Sequence, residues 1–250
     1  MKRDWWSREF KVMIAVGDSI AAGGWASCRE HGWTYQLARM VNECQRIPMQ
    51  LVNMGVGANV LSTRSRGYAY SGKPAVSERL ERHVLSYTAN GAPLLPDLLI
   101  IACCLNDARG GTPVDVFCSE LEEVVRRVRQ KVQPLIVIVG PYHMKDFALG
   151  APDWSNTSPE GLRTYNEAMS RLADGLECLF VDLLAAYGEA DWLVHQDGVH
   201  GNDLSHRIVA NKIFETLASN CSGLAAHTRE LEKTTPPWRD EAKLQAEFGC

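Results

Sequence analysis

The sequence predicts an α/β fold, a doubly wound three-layer α/β/α sandwich around a five-stranded parallel sheet. Three observations carry this expectation. Five short apolar runs rich in β-branched residues recur along the chain, helix-period segments separate them, and no long apolar span competes with that reading. With 250 residues and 46% apolar content, one sizeable core can be built.

The first run, residues 11–16, sets Val12, Met13, Ile14, Ala15 and Val16 in succession, as a strand buried on both faces requires. Further runs at 50–53, 98–103, 135–140 and 179–183 are each short enough for the same role. Between them lie helix-period segments at 33–44, 75–87, 114–131 and 158–176, with a fifth at 204–219 after the last strand. In 114–131, Val116, Leu121, Val124, Val125 and Val128 fall on one face and the charges on the other. This alternation gives right-handed βαβ units. Two irregular stretches, 58–74 and 142–157, exceed ordinary βα loops, and such loops are usually functional or mobile. Residues 1–222 are read as one domain. Residues 223–250 form a charged tail, expected to be helical and docked on that domain, with Thr235 as N-cap, Pro236 at the first helical position and Trp238 on a candidate contact surface.

Composition removes several classes of function. The formal net charge is −4 and no block of Lys or Arg stands out, so neither nucleic acid nor an anionic membrane is an expected partner. Residues 1–10 carry Lys2, Arg3, Asp4, Arg8 and Glu9 without the apolar core of a secretion signal, which points to the cytoplasm. The eight cysteines are scattered without a Cys-x-x-Cys, and Cys103, Cys104 and Cys178 fall inside strand-like runs, as buried free thiols do.

Ligands of an open parallel sheet bind outside the carboxyl ends of its strands. Ser19 follows the first run, Gly57 and Ala58 the second, Asn106 and Asp107 the third, the Tyr142 loop the fourth, and Asp197 and His200 the fifth. Asp197 and His200, three apart on a helical turn, would face the same way. The carboxylate would then hold one ring nitrogen, leaving the other to take the Ser19 proton. Ser19 is expected to open a helical turn whose unpaired N–H groups face anionic oxygen. Asn106 adds a side-chain N–H, and each such donor is worth roughly 3–4 kcal/mol in a transition state.

Plainer readings exist for each residue. Gly17-Asp18-Ser19 alone is an ordinary turn, Asp197 and His200 alone could cap a helix, and His195, Asp197 and His200 offer three possible metal ligands. Asp107 is read as structural, tying down its own loop, and Cys103 and Cys104 as core filler. Tyr68, Tyr70, Tyr142, His143 and Trp154 either line an acyl or aryl pocket or anchor the two long loops. Arg64, Arg66 and Arg109 either bind an anionic substrate group or face solvent.

Gly17-Asp18-Ser19, Asn53-Met54-Gly55-Val56-Gly57, Asn106-Asp107 and Asp197-x-x-His200 occur in the order and approximate spacing of the SGNH/GDSL hydrolases, which the chain resembles over residues 11–219. The resemblance implies the flavodoxin-like SGNH-hydrolase fold, with Ser19 as nucleophile, His200 as general base and then acid, and Asp197 as the orienting carboxylate. Its oxyanion hole would be the Ser19 N–H, an N–H of Gly57 or Ala58, and the Asn106 amide. The expected reaction is cleavage of a small soluble carboxylic ester through an acyl-enzyme, without a cofactor. Thioester cleavage or acyl transfer would use the same groups, and a catalytically silent binding module on this fold is the alternative. Two positions depart from the family pattern. Ala58 stands where a glycine usually closes the second block, so either the loop differs or Gly57 takes the role by a one-residue shift. Cys104 stands where the third block usually has glycine, which bears on pocket shape.

Overall fold

A computed structural model describes residues 2–236 and 239–249. The chain runs β1 (Val12–Gly17), α1 (Trp33–Cys44), β2 (Gln50–Gly55), α2 (Tyr68–Ser71) and α3 (Val76–Leu80), the last prolonged by a π turn (Glu81–Leu85). A small hairpin of β3 (Thr88–Ala89) and β4 (Ala92–Pro93) precedes β5 (Leu98–Ala102), α4 (Leu105–Arg109), α5 (Val114–Lys131), β6 (Leu135–Val139) and α6 (Pro159–Gly175). Then come β7 (Leu179–Val181), α7 (Leu183–Tyr187), α8 (Asp203–Asn220), α9 (Ala226–Thr234) and α10 (Glu241–Phe248).

The five long-range strands form one parallel sheet in the order β2-β1-β5-β6-β7. The order in which strands are added therefore reverses between β1 and β5, and the crevice at such a switch point is where a doubly wound sheet holds its ligand. In register, Gly17 lies opposite Gly55 on one side and Ala102 on the other, which brings the three following loops out at one level. Every residue of β5 and β6 is buried, because helices cover both faces.

The expected strands and helices are present, with shifts that have local causes. On α5 the buried residues are Phe117, Leu121, Val124, Val125 and Val128, so Phe117 rather than Val116 opens the apolar face. β7 stops at Val181, two residues early, because the Asp182 carboxylate accepts the Ala185 N–H (2.9 Å) and starts α7. Thr235 ends α9 instead of opening a helix. The helix expected there begins at Glu241, capped by Asp240, whose carboxylate accepts the N–H groups of Ala242 and Lys243 at 3.1 and 3.2 Å. Neither α9 nor α10 buries a residue; Trp238 lies outside the described residues. The seven described cysteines are free thiols, and among the described residues no helix is long and apolar enough to cross a membrane.

Candidate active site

The first loop is shaped by Gly17. A Cβ there would lie 1.9 Å from the Ala102 carbonyl oxygen, so β1 and β5 close together only with glycine. Asp18 is buried and accepts the Ile20 N–H at 2.9 Å, and its burial pushes the carboxyl up to about 7. Tight turns follow, with the Ala22 N–H on the Asp18 carbonyl (3.0 Å) and the Gly24 N–H on that of Ser19 (2.8 Å). The helical turn expected at Ser19 is thus an irregular one. The Ser19 N–H is still unpaired among the described residues.

The opposite wall is a turn of its own. Asp197 Oδ1 accepts the N–H groups of Val199 and His200, both at 3.0 Å, and Gly198 takes φ +78°. A Cβ on Gly198 would meet Asp146 Cβ at 2.5 Å, and its carbonyl accepts the Lys145 and Asp146 N–H groups at 2.7 and 2.8 Å. This turn, not a helix, makes the two side chains face one another. Asp197 Oδ2 lies 2.5 Å from His200 Nδ1, and His200 Nε2 lies 2.9 Å from Ser19 Oγ. Burial opposes ionisation of Asp197, yet hydrogen bonds from His200 and Val199 outweigh it and hold the carboxyl below its ordinary range. For His200 burial wins over the Asp197 contact and lowers the pKa, so near neutral pH the ring is uncharged. With the proton on Nδ1 facing Asp197, Nε2 is left as the acceptor for the serine hydroxyl.

Trp25 belongs to this wall although no motif in the sequence marks it. Its ring stacks on the His200 imidazole with centroids 3.3 Å apart and planes 6° apart, and its backbone takes φ +66°. An aromatic residue directly after Gly23-Gly24, at the same sheet edge as Ser19, was the available signal.

The third wall joins the loops after β2 and β5. Ala58 adopts φ +58° while Gly57 has no such requirement, so alanine itself takes the left-handed shape. The N–H groups of Gly57 and Ala58 have no partner among the described residues. Asn106, on α4, donates one amide N–H to the Asn59 carbonyl (3.1 Å), leaving a second. Asp107 ties down the loop after β2 rather than its own, accepting the Leu61 N–H (3.1 Å) and the Ser65 hydroxyl. Its complete burial pushes the carboxyl up to about 7. Arg79 clamps the whole arrangement. It donates to Gly17 O (2.9 Å), Met54 O (2.7 Å) and Asn59 Oδ1 (2.6 and 3.1 Å).

Ser19, His200, Trp25, Gly57, Ala58, Asn106, Arg109 and Trp154 line one cavity of about 160 Å³. Cys104 points elsewhere, into a small apolar void beside Asp18, Leu105 and Tyr142, and does not narrow this cavity. Burial pushes the Cys103 and Cys104 thiols well above their usual range, as in core filler.

Three expected substrate contacts do not reach the cavity. Tyr142 is buried and stacks on Tyr187 (5.4 Å), an anchoring role. His143 Nε2 pairs with Asp191 (2.8 Å) and borders a separate groove of about 650 Å³ with Lys145, Phe147 and Leu184. Tyr68 lies on α2 beside Glu78. Of the three arginines, Arg64 pairs with Glu120 (2.7 Å), Arg66 is exposed, and only Arg109 lines the cavity.

A second cluster of the same residue types sits on the surface. Ser27 Oγ and Asp203 Oδ2 both meet His31 Nδ1, at 2.8 Å each, so serine and acid compete for one nitrogen and no relay through the ring exists. At His195, Nδ1 is 3.8 Å from Asp197 Oδ1, and Asp197 Oδ2 is committed to His200. Among the described residues no group of three or more His, Cys, Asp or Glu side chains converges as a metal site.

The model of the GDSL-like lipase/acylhydrolase family matches residues 15–208. Solved structures share the fold at low identity. An acetylxylan esterase, Axe2, from Geobacillus stearothermophilus is 18% identical with a TM-score of 0.60, covering 83% of this chain and 94% of that one. A lipase/acylhydrolase from Enterococcus faecalis is 16% identical with a TM-score of 0.63 (84% and 96% covered). An aryl esterase from M. smegmatis is 18% identical with a TM-score of 0.61 (84% and 99%). No curated protein matches the chain in sequence.

Proposed function

This chain belongs to the GDSL-like lipase/acylhydrolase family, and from that premise we propose that it is a serine hydrolase cleaving small carboxylic esters through an acyl-enzyme. The observation that carries the reading is the continuous hydrogen-bond chain from Ser19 Oγ through the His200 ring to Asp197, beside unpaired N–H groups.

In this reading Ser19 Oγ attacks the ester carbonyl carbon while His200 Nε2 takes the hydroxyl proton. Asp197 stabilises the resulting imidazolium and keeps the ring oriented. The carbonyl oxygen gains negative charge and is met by the N–H groups of Ser19 and Ala58 and by the Asn106 amide. Collapse expels the alcohol oxygen, which receives the proton from Nε2, and leaves the acyl group on Ser19. Water then attacks the acyl-enzyme as His200 again takes a proton, and the free acid leaves with Ser19 restored. Every proton is exchanged at one nitrogen.

A cavity of about 160 Å³ is below the roughly 300–1,000 Å³ of sites for drug-sized ligands, which favours short acyl groups. The acetylxylan and aryl esterases that share the fold are consistent with small esters. Thioester cleavage or transfer of the acyl group to another alcohol would use the same atoms and differ only in the product. A silent binding module is disfavoured, because such a module has no use for an aligned proton relay. The test is Ser19→Ala, expected to lower turnover of acetyl or aryl esters by a factor of roughly 10⁴–10⁶ and to abolish fluorophosphonate labelling with the fold intact. Turnover that survived this substitution would refute the reading.

A further inference from the structure

Arg109 closes α4, three residues beyond Asn106, and its side chain is only 6% exposed. Nη2 donates to the Leu149 carbonyl (2.6 Å). Nε is buried with no partner, Nη1 makes no hydrogen bond, and no carboxylate lies within 4.0 Å among the described residues. Buried cations are ordinarily paired, since a lone charge out of water is costly. Arg79 is the contrast within the same fold: it too lacks an acid, but backbone carbonyls and Asn59 satisfy its donors. Arg109, with donors left unfilled, is among the residues lining the cavity that holds Ser19 and His200.

We propose that Arg109 binds a carboxylate carried by the substrate, so that the preferred esters are small and anionic; this rests on the hydrolase reading above. A guanidinium matches a carboxylate in shape and charge. Trp25 and Trp154 line the same cavity, and their low-polarity ring surfaces strengthen the attraction relative to open water. The small volume requires the carboxylate to sit a few bonds from the scissile carbonyl, on either the acyl or the alcohol side.

Two pairs of esters separate those sources: monomethyl succinate against methyl butyrate for the acyl side, and acetoxyacetate against ethyl acetate for the alcohol side. The readout is the anionic-to-neutral ratio of kcat/KM, which cancels any loss common to both substrates. The wild type is expected to favour the anionic ester of one pair at least ~10-fold, Arg109→Gln to erase that preference, and Arg109→Lys to keep part of it. A ratio near one in the wild type, or a ratio unchanged in Arg109→Gln, overturns the proposal. Binding is also followed without turnover, by calorimetry of the Ser19→Ala protein with the same anionic esters. Saturable binding there, lost on adding Arg109→Gln, with no turnover by the wild type would uphold the anion site and defeat the hydrolase reading. Turnover of neutral esters without anion preference would do the reverse.

Discussion

Replacing Arg79 by methionine tests whether the candidate site is held by one buried clamp. Arg79 is 8% exposed, and its guanidinium ties the end of β1, the end of β2 and the Asn59 side chain together. Methionine fills similar space but donates nothing. Asn59 Oδ1 loses both of its hydrogen bonds, an unsatisfied buried acceptor costing about 1–3 kcal/mol. Gly17 O keeps its bond from the Val56 N–H (3.0 Å) and, like Met54 O, loses one charge-assisted bond of about 1.5–3 kcal/mol. Burial of the guanidinium, which pulls its pKa down, no longer opposes folding and offsets part of that sum. The expected net loss is about 3–5 kcal/mol in urea-denaturation stability. Because Gly17 precedes Asp18-Ser19 and Asn59 follows Ala58, kcat/KM should fall about 10- to 100-fold in the remaining folded protein. A variant within ~1 kcal/mol of wild type, or one with normal kcat/KM, would refute the clamp.

Three further outcomes are expected. Trp25→Ala exposes the His200 ring, and since burial is what lowers that pKa, the acid limb of the kcat/KM profile should move to higher pH; an unmoved or lower limb would contradict the shielding role. Asp18→Asn isolates a proton linkage. The folded pKa of Asp18 (about 7) lies above its unfolded value near 4, so its contribution is complete below about pH 4 and lost as pH rises through 7. Wild-type stability relative to Asp18→Asn should therefore fall by up to ~1.4 kcal/mol per pH unit between pH 4 and 7 in denaturant melts, and a flat difference would exclude the linkage. Ala58→Gly relieves a left-handed alanine, worth roughly 1–2 kcal/mol, against about 0.5–1 kcal/mol of added chain entropy. Stability should rise by up to ~1.5 kcal/mol with activity kept, and a loss of stability would mean that Ala58 makes contacts glycine cannot replace.

The parts of the candidate site that could be read in the sequence are those fixed by local pattern. Ser19, Asp197, His200 and Asn106 each follow a recognisable strand, and the parallel sheet brings strand ends to one edge whatever the loops do. Even so, the local shapes differed from expectation. Asp197 and His200 meet across a glycine-dependent turn instead of a helical one, because the Asp197 carboxylate captures the backbone N–H groups of Val199 and His200.

Apolar periodicity and short spacings, being properties of neighbouring residues, were enough to read the order along the chain of the five sheet strands, the longer helices between them and the candidate reacting side chains. Which loop residues face the cavity depends on how the chain packs. Trp25, Arg109 and Trp154 reach it, while Tyr142, His143 and Tyr68 do not. A loop side chain's direction follows from backbone turns and distant partners. Arg79 finds Gly17 O 62 residues away, and Ser19 finds His200 181 residues away. No local pattern encodes those encounters.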